Sequence, residues 1–226
     1  MIYFYNGVPG SGKSLDTAKE IYIALKRGKN VIANFNVNTD LIKIKDKSKL
    51  GKFVYINNAD FLISSIKQDK QKTKYDVRYS YIEGLKGFAE NYHKRDKKGH
   101  FIEHQTLLVI DECGKIFNPR TWNRKDRLKW CEFFQQHRKY GYDVIMVAQS
   151  DNQVDKQIRA LFEEDVLHRN IRHYKIIGYF AALLCGGSLF VAIHSIRGMS
   201  KKDAHLYSTF FSGRKYYDFY NSMELF

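Results

Sequence analysis

The segment Gly7-Val8-Pro9-Gly10-Ser11-Gly12-Lys13-Ser14 constrains this chain more than any other. It fits G-x-x-x-x-G-K-[ST] at every position, a pattern that has meaning only between a strand and a helix. Both are legible. Ile2-Tyr3-Phe4-Tyr5 reads as a strand, and Leu15 to Lys26 reads as a helix with Leu15, Ala18, Ile21, Tyr22 and Leu25 on one face. Glycines let a backbone wrap a phosphate chain without side-chain clash. Amides from Ser11 to Ser14, at a helix start, favour anions through the helix dipole. Nucleotide contact is therefore expected from Gly7, Pro9, Gly10, Ser11, Gly12, Lys13, Ser14 and Leu15. Lys13 is expected to bridge the β- and γ-phosphates, and Ser14 to hold Mg²⁺.

A second element completes the chemistry. Thr106-Leu107-Leu108-Val109-Ile110 is a continuous apolar run, as in a strand buried on both faces, and it ends in Asp111-Glu112. Asp111 suits the Mg²⁺ shell, and Glu112 suits the general base that orients water. A further buried strand is read in Asp143-Val144-Ile145-Met146-Val147-Ala148-Gln149, with Gln149 at its tip as a γ-phosphate sensor. The other reading of Gln149 is a plain strand cap. Arg138, Arg159 and Arg169 are the arginines best placed to reach a neighbour's nucleotide, Arg159 first. A solvent-facing role competes for each.

Other segments are read more coarsely. Asn30 to Val37 and Phe53 to Ile56 read as strands, and Tyr79 to Tyr92 and Leu128 to Tyr140 as helices. Residues 40–105 form a variable, lysine-rich insertion.

The 226 residues carry a formal charge of +14 and 44% hydrophobic residues, so a large core is affordable and disorder is excluded. Such charge suits a polyanion or an anionic membrane face. Arg120, Trp122 and Arg124, together with the lysine clusters, combine cations and rings as single-strand binders do; plain surface is the alternative. Cys113, Cys131 and Cys185 form no metal or disulfide pattern, which suits a reducing compartment. The opening strand leaves no room for a signal peptide ahead of it.

Ile176 to Ile193 is almost wholly apolar and long enough to cross a membrane. Two readings stand: a transmembrane helix within 176–196, or a short helix broken at Gly186-Gly187. In the second, favoured reading, Ser188 to Ile196 is a strand with Ala204 to Phe211 as its antiparallel partner.

GVPGSGKS at 7–14, the strand from Val31 to Asn34, LLVIDE at 107–112, HRKYGYDVIMVAQ at 137–149, DKQIRALFEEDVLHR at 155–169 and the closing Tyr217-Asp218-Phe219-Tyr220-Asn221-Ser222 together resemble the zonular occludens toxin (Zot)-like family, which includes filamentous-phage assembly ATPases. The resemblance implies an α/β P-loop NTPase, a three-layer sandwich with a mainly parallel sheet, in which an added strand separates the P-loop strand from the Asp-Glu strand. It places the ATPase core at 1–170 and a helix and β-hairpin extension of the same domain at 171–226. It implies ATP and Mg²⁺ as cofactors. It also implies a homo-oligomer, for which a hexameric ring is the group's habit. Single-stranded DNA or phage nucleoprotein and inner-membrane assembly proteins are the implied partners, at the cytoplasmic face of the host membrane. The apolar run falls inside the domain, and the chain stops without the periplasmic part that phage members carry.

Three other functions share these motifs. A GTPase switch would use Asp111-Glu112-Cys113-Gly114 and Asn123-Arg124-Lys125-Asp126. A small-molecule kinase would use 119–127 as a lid. A DNA-binding scaffold would keep the loop without chemistry.

Overall fold

A computed structural model describes residues 1–58, 81–121, 123–124, 126–173, 188–200 and 203–220. Its strands are β1 (Ile2–Asn6), β2 (Asn30–Ala33), β3 (Phe53–Tyr55), β4 (Thr106–Ile110), β5 (Tyr142–Val147), β6 (Glu164–Asn170), β7 (Phe190–Ile196) and β8 (His205–Phe211). The helices are α1 (Lys13–Lys26), α2 (Tyr81–Tyr92), α3 (Cys113–Ile116), α4 (Arg127–Gln136) and α5 (Lys156–Arg159).

All eight strands form one sheet in the order β3-β2-β4-β5-β1-β6-β7-β8. The first six in that order run parallel, and β7 and β8 add antiparallel. The α/β sandwich and its mainly parallel sheet are thus as expected. So is the added strand, because β5 lies between β1 and β4.

Alternation along the central strands builds two cores. Ile2 and Phe4 of β1, Leu108 and Ile110 of β4, and Val144 and Met146 of β5 face one side, where Trp130, Phe133 and Phe134 of α4 and Leu85 of α2 cover them. Leu107, Val109, Ile145 and Val147 face the other side, against Leu15, Ala18, Ile21 and Leu25 of α1. The period of two in the strands meets the period of 3.6 in the helices, and both faces close.

Several boundaries differ from the sequence reading. β2 stops at Ala33 rather than Val37, because Asn34 turns its amide toward the end of β4. The helix expected through Tyr140 is α-helical only to Gln136. A 3-10 turn, His137–Tyr140, then ends at Gly141 with φ 79°, a left-handed conformation suited to glycine. Of the helix expected over 79–92, Tyr79 and Ser80 lie outside the described residues, as do the helix expected before Gly186 and most of the apolar run. The remainder of that run is β7, paired with β6 and β8. Among the described residues no helix is long and apolar enough to cross a membrane.

Candidate nucleotide and metal site

The loop from Gly7 to Gly12 leaves the carboxyl end of β1 and enters α1 through Gly12, whose φ is +96°. A Cβ on Gly12 would stand 2.6 Å from the Phe190 ring, so both backbone sign and space require glycine here. Ser11 N–H closes the loop on the Val8 carbonyl at 3.2 Å, and Gly7 N–H reaches the Gln149 carbonyl at 3.4 Å. The buried Ser11 hydroxyl has no hydrogen-bond partner among the described residues.

Lys13 Nζ donates to the carbonyls of Gly7 at 2.7 Å and Val8 at 3.0 Å. An ammonium has three protons, so this grip leaves one for a ligand. Burial lowers its pKa, and the Asp111 carboxylate opposes that shift.

Asp111 and Glu112 follow β4 across the same cleft, a cavity of about 690 Å³. Asn34 fixes their peptide. Its side chain donates to the Asp111 carbonyl at 2.8 Å and accepts from the Asp111 amide at 2.6 Å. Asp111 is buried, and burial beside Glu112 pushes its carboxyl up to about 6; the Glu112 amide, Lys13 and Ser14 offset this only in part. A buried acid in this condition is short of positive charge. Glu112 has φ +48°, a conformation rare for a side-chain-bearing residue, and it pairs with Lys115 one turn on. Ser14, Asp111 and Tyr220 line the same cleft.

These residues fit a Mg²⁺–nucleotide. There is a glycine cradle that a Cβ would fill and a lysine with a spare proton. Ser14 and Asp111 supply the hard oxygen ligands such a cation takes. Gln149 lines the cleft just past β5, beside Asn152 and Gln153.

The arginines separate. Arg159 is held within its own chain, with Nη1 2.8 Å from Asn152 and 3.8 Å from Asp151. Arg138 pairs with Glu103 at the opposite end of the sheet. Arg169 is exposed on β6, two residues past the position opposite Asn6. Arg120, read as a DNA contact, opens onto the nucleotide cleft instead. Arg124, read likewise, is a structural tie, gripping Asp126 and the Ile116 carbonyl. Asp126 is also taken by Trp130 Nε1 at 3.2 Å, so it is not free to read a guanine. Trp122, Lys125 and Cys185 lie outside the described residues.

Two contacts around the site involve residues that the motifs do not mark as site residues. His168 of β6 meets Asp16 of α1 at 3.0 Å, both buried. Burial alone would raise the Asp16 carboxyl; His168 and Lys19 outweigh it and hold it below its usual range. The other contact is Tyr220, which arrives at Ser14 from the far end of the described chain.

A family model described as zonular occludens toxin (Zot) matches residues 1–202. The Gene 1 protein of Enterobacteria phage f1 is 25% identical over 232 residues, covering 100% of this chain and 60% of that protein. The zona occludens toxin of Vibrio cholerae serotype O1 is 22% identical over 219 residues, covering 90% of this chain and 46% of that protein. The chain therefore spans about 60% or less of the length of these two relatives. The crystal structure of the N-terminal domain of zonular occludens toxin from Neisseria meningitidis shares the fold, with a TM-score of 0.54 at 15% identity over 97% of this chain and 98% of that one.

Proposed function

Since the chain belongs to the zonular occludens toxin (Zot) family, we propose that it is a P-loop ATPase motor for filamentous-phage-type assembly, coupling ATP turnover to extrusion of single-stranded DNA or virion at the inner membrane. One observation carries the reading: Lys13, Ser14, Asp111 and Glu112 converge on one cleft although they come from strands that are not neighbours.

The geometry supports the following division of labour. The loop amides and Lys13 bind and orient phosphates. Ser14 and Asp111 hold the Mg²⁺, which when bound neutralises phosphate charge. Glu112, once released from Lys115, accepts the proton of a water molecule. Gln149 is placed to sense a third phosphate, and Arg120 to add positive charge from its own chain. In the homo-oligomer of this proposal, Arg159 reaches a neighbour's nucleotide only on leaving Asn152 and Asp151.

The DNA-facing surface in this reading is the β3 edge. Lys43, Lys45, Lys47, Lys49 and Lys52 are all exposed, as are Tyr55 and Tyr92. Lys52 Nζ lies 4.1 Å from the centre of the Tyr92 ring. Rings that stack and cations that follow phosphates suit single strands. The inner-membrane location belongs to the same proposal and rests on partner proteins there.

The test is steady-state ATP hydrolysis with Mg²⁺, with and without single-stranded DNA, over a range of protein concentrations, against Lys13→Ala. Turnover that rises with DNA, and more than linearly with protein, supports the motor. Turnover by wild type no greater than by Lys13→Ala, in every condition, overturns it.

A further inference from the structure

A strap that follows β8 closes over the nucleotide cleft. After β8 the chain turns at Gly213, so close to α1 that a Cβ there would stand 2.3 Å from Leu15 Cδ2. Phe219 is buried and sets its ring edge-on to Tyr22 of α1, with centroids 5.4 Å apart. The Asn38 amide donates to the Phe219 carbonyl at 2.9 Å, and Tyr220 bridges Val37 antiparallel. These anchors aim the Tyr220 ring past Phe35, 5.3 Å away, into the cleft, where it shares the wall with Ser14, Asp111 and Glu112. Tyr220 has no counterpart in the G-K-[ST] or Asp-Glu motifs, yet it lines the same cleft as Ser14.

A serine hydroxyl has one proton and two lone pairs. As a metal ligand, Ser14 works best with its proton directed away from the cation. Asp111, a carboxylate lining the same cleft, is the acceptor for that proton. A donor on the second lone pair fixes the rotor and leaves the other pair for the metal. We propose that Tyr220 is a positioning residue that donates its phenol proton to Ser14 Oγ, turning the serine proton to Asp111 and presenting one lone pair to Mg²⁺. The proposal rests on the Mg²⁺–nucleotide reading of the cleft.

Tyr220→Phe keeps the ring and its anchors and removes only the hydroxyl. The probe is a fluorescent ATP analogue, titrated in EDTA and then at graded Mg²⁺, with thermal unfolding recorded for each variant. Metal-free affinity should agree with wild type within about twofold. The Mg²⁺ concentration giving half of the metal-dependent gain should rise roughly three- to tenfold, the worth of one hydrogen bond. In a Ser14→Ala background the same substitution should change nothing, because the partner is gone. An unchanged Mg²⁺ requirement in Tyr220→Phe overturns the proposal. A lowered requirement also overturns it, since the phenol would then compete with the metal. An equal shift in the Ser14→Ala background shows that Tyr220 acts on something else. A wild-type chain that binds no nucleotide under any condition sinks the ATPase reading, a separate failure.

Discussion

Two buried carboxylates on neighbouring strands have opposite fates. Asp111 follows β4 at the loop end of the sheet, and its carboxyl is pushed up to about 6 by burial beside Glu112. Asp143 opens β5 at the other end. Burial would raise it too, but Lys29 at 2.5 Å and the Met1 amino group at 2.8 Å outweigh that and hold it down to about 2, with His104 Nδ1 a further contact at 2.8 Å. The same residue type at similar burial is complete in one place and short of charge in the other. Completed acids hold folds together; an acid left wanting a cation marks where a fold binds one.

The contrast breaks hardest at the chemistry. Glu112→Gln removes the proposed base and leaves the cradle. Nucleotide binding by the fluorescent analogue should stay within about threefold, while turnover falls roughly 10²- to 10⁴-fold. Normal turnover in that variant would strip Glu112 of its role.

At the other end, Asp143→Asn leaves the half-buried Lys29 without its carboxylate. Chemical denaturation should show a loss of about 2–4 kcal/mol, with nucleotide affinity unchanged. The pH dependence has a definite sign. A carboxylate depressed in the folded state stabilises above its unfolded value near 4 and loses that contribution as pH falls toward about 2. Wild type should therefore lose stability over this window more steeply than Asp143→Asn. Equal slopes would mean that the cluster is looser than its distances.

Asp111→Asn should do the reverse in metal-free protein. It relieves a charge that burial disfavours and keeps an oxygen for the Glu112 amide, 2.8 Å from Oδ1. A gain on the order of 1–3 kcal/mol at neutral pH is expected, together with loss of the Mg²⁺-dependent gain in nucleotide affinity. Destabilisation instead would place Asp111 with Asp143 as a structural acid.

The smallest effect belongs to Lys115→Ala. The Lys115–Glu112 pair is exposed on both sides, so melting should shift by less than about 0.5 kcal/mol. Its removal should instead raise turnover without DNA about two- to fivefold, by freeing Glu112. No change in either would make the pair a surface contact and nothing more.

What could be read in advance divides by sequence distance. Gly7 to Ser14 and Leu107 to Glu112 are contiguous, and their chemistry is set by local backbone demands that one-dimensional pattern records. The strands and α1 were legible for the same reason, through periods of 2 and 3.6. Asn34 was noted only as an asparagine at a strand end. Its clamp on the Asp111 peptide needs the parallel pairing of β2 with β4, which no local window contains. Tyr220 depends on a strap crossing α1, and the His168–Asp16 contact on β6 lying beside β1. Arg124 misled because a basic loop looks the same in sequence whether its guanidinium faces solvent or grips Asp126.

The placement of β5 has a mechanical consequence. The phosphate loop hangs from β1 and the acidic pair from β4, two strand spacings apart, roughly 10 Å. The two jaws are set like a caliper whose fixed bar is β5, hydrogen-bonded on both edges and buried along its whole length. A strand so paired and buried is the part of the site with the least freedom to open. Motion at this centre must therefore be generated by what rides on the jaws, the Glu112 turn, the Gln149 tip and the strap, and be passed outward through them.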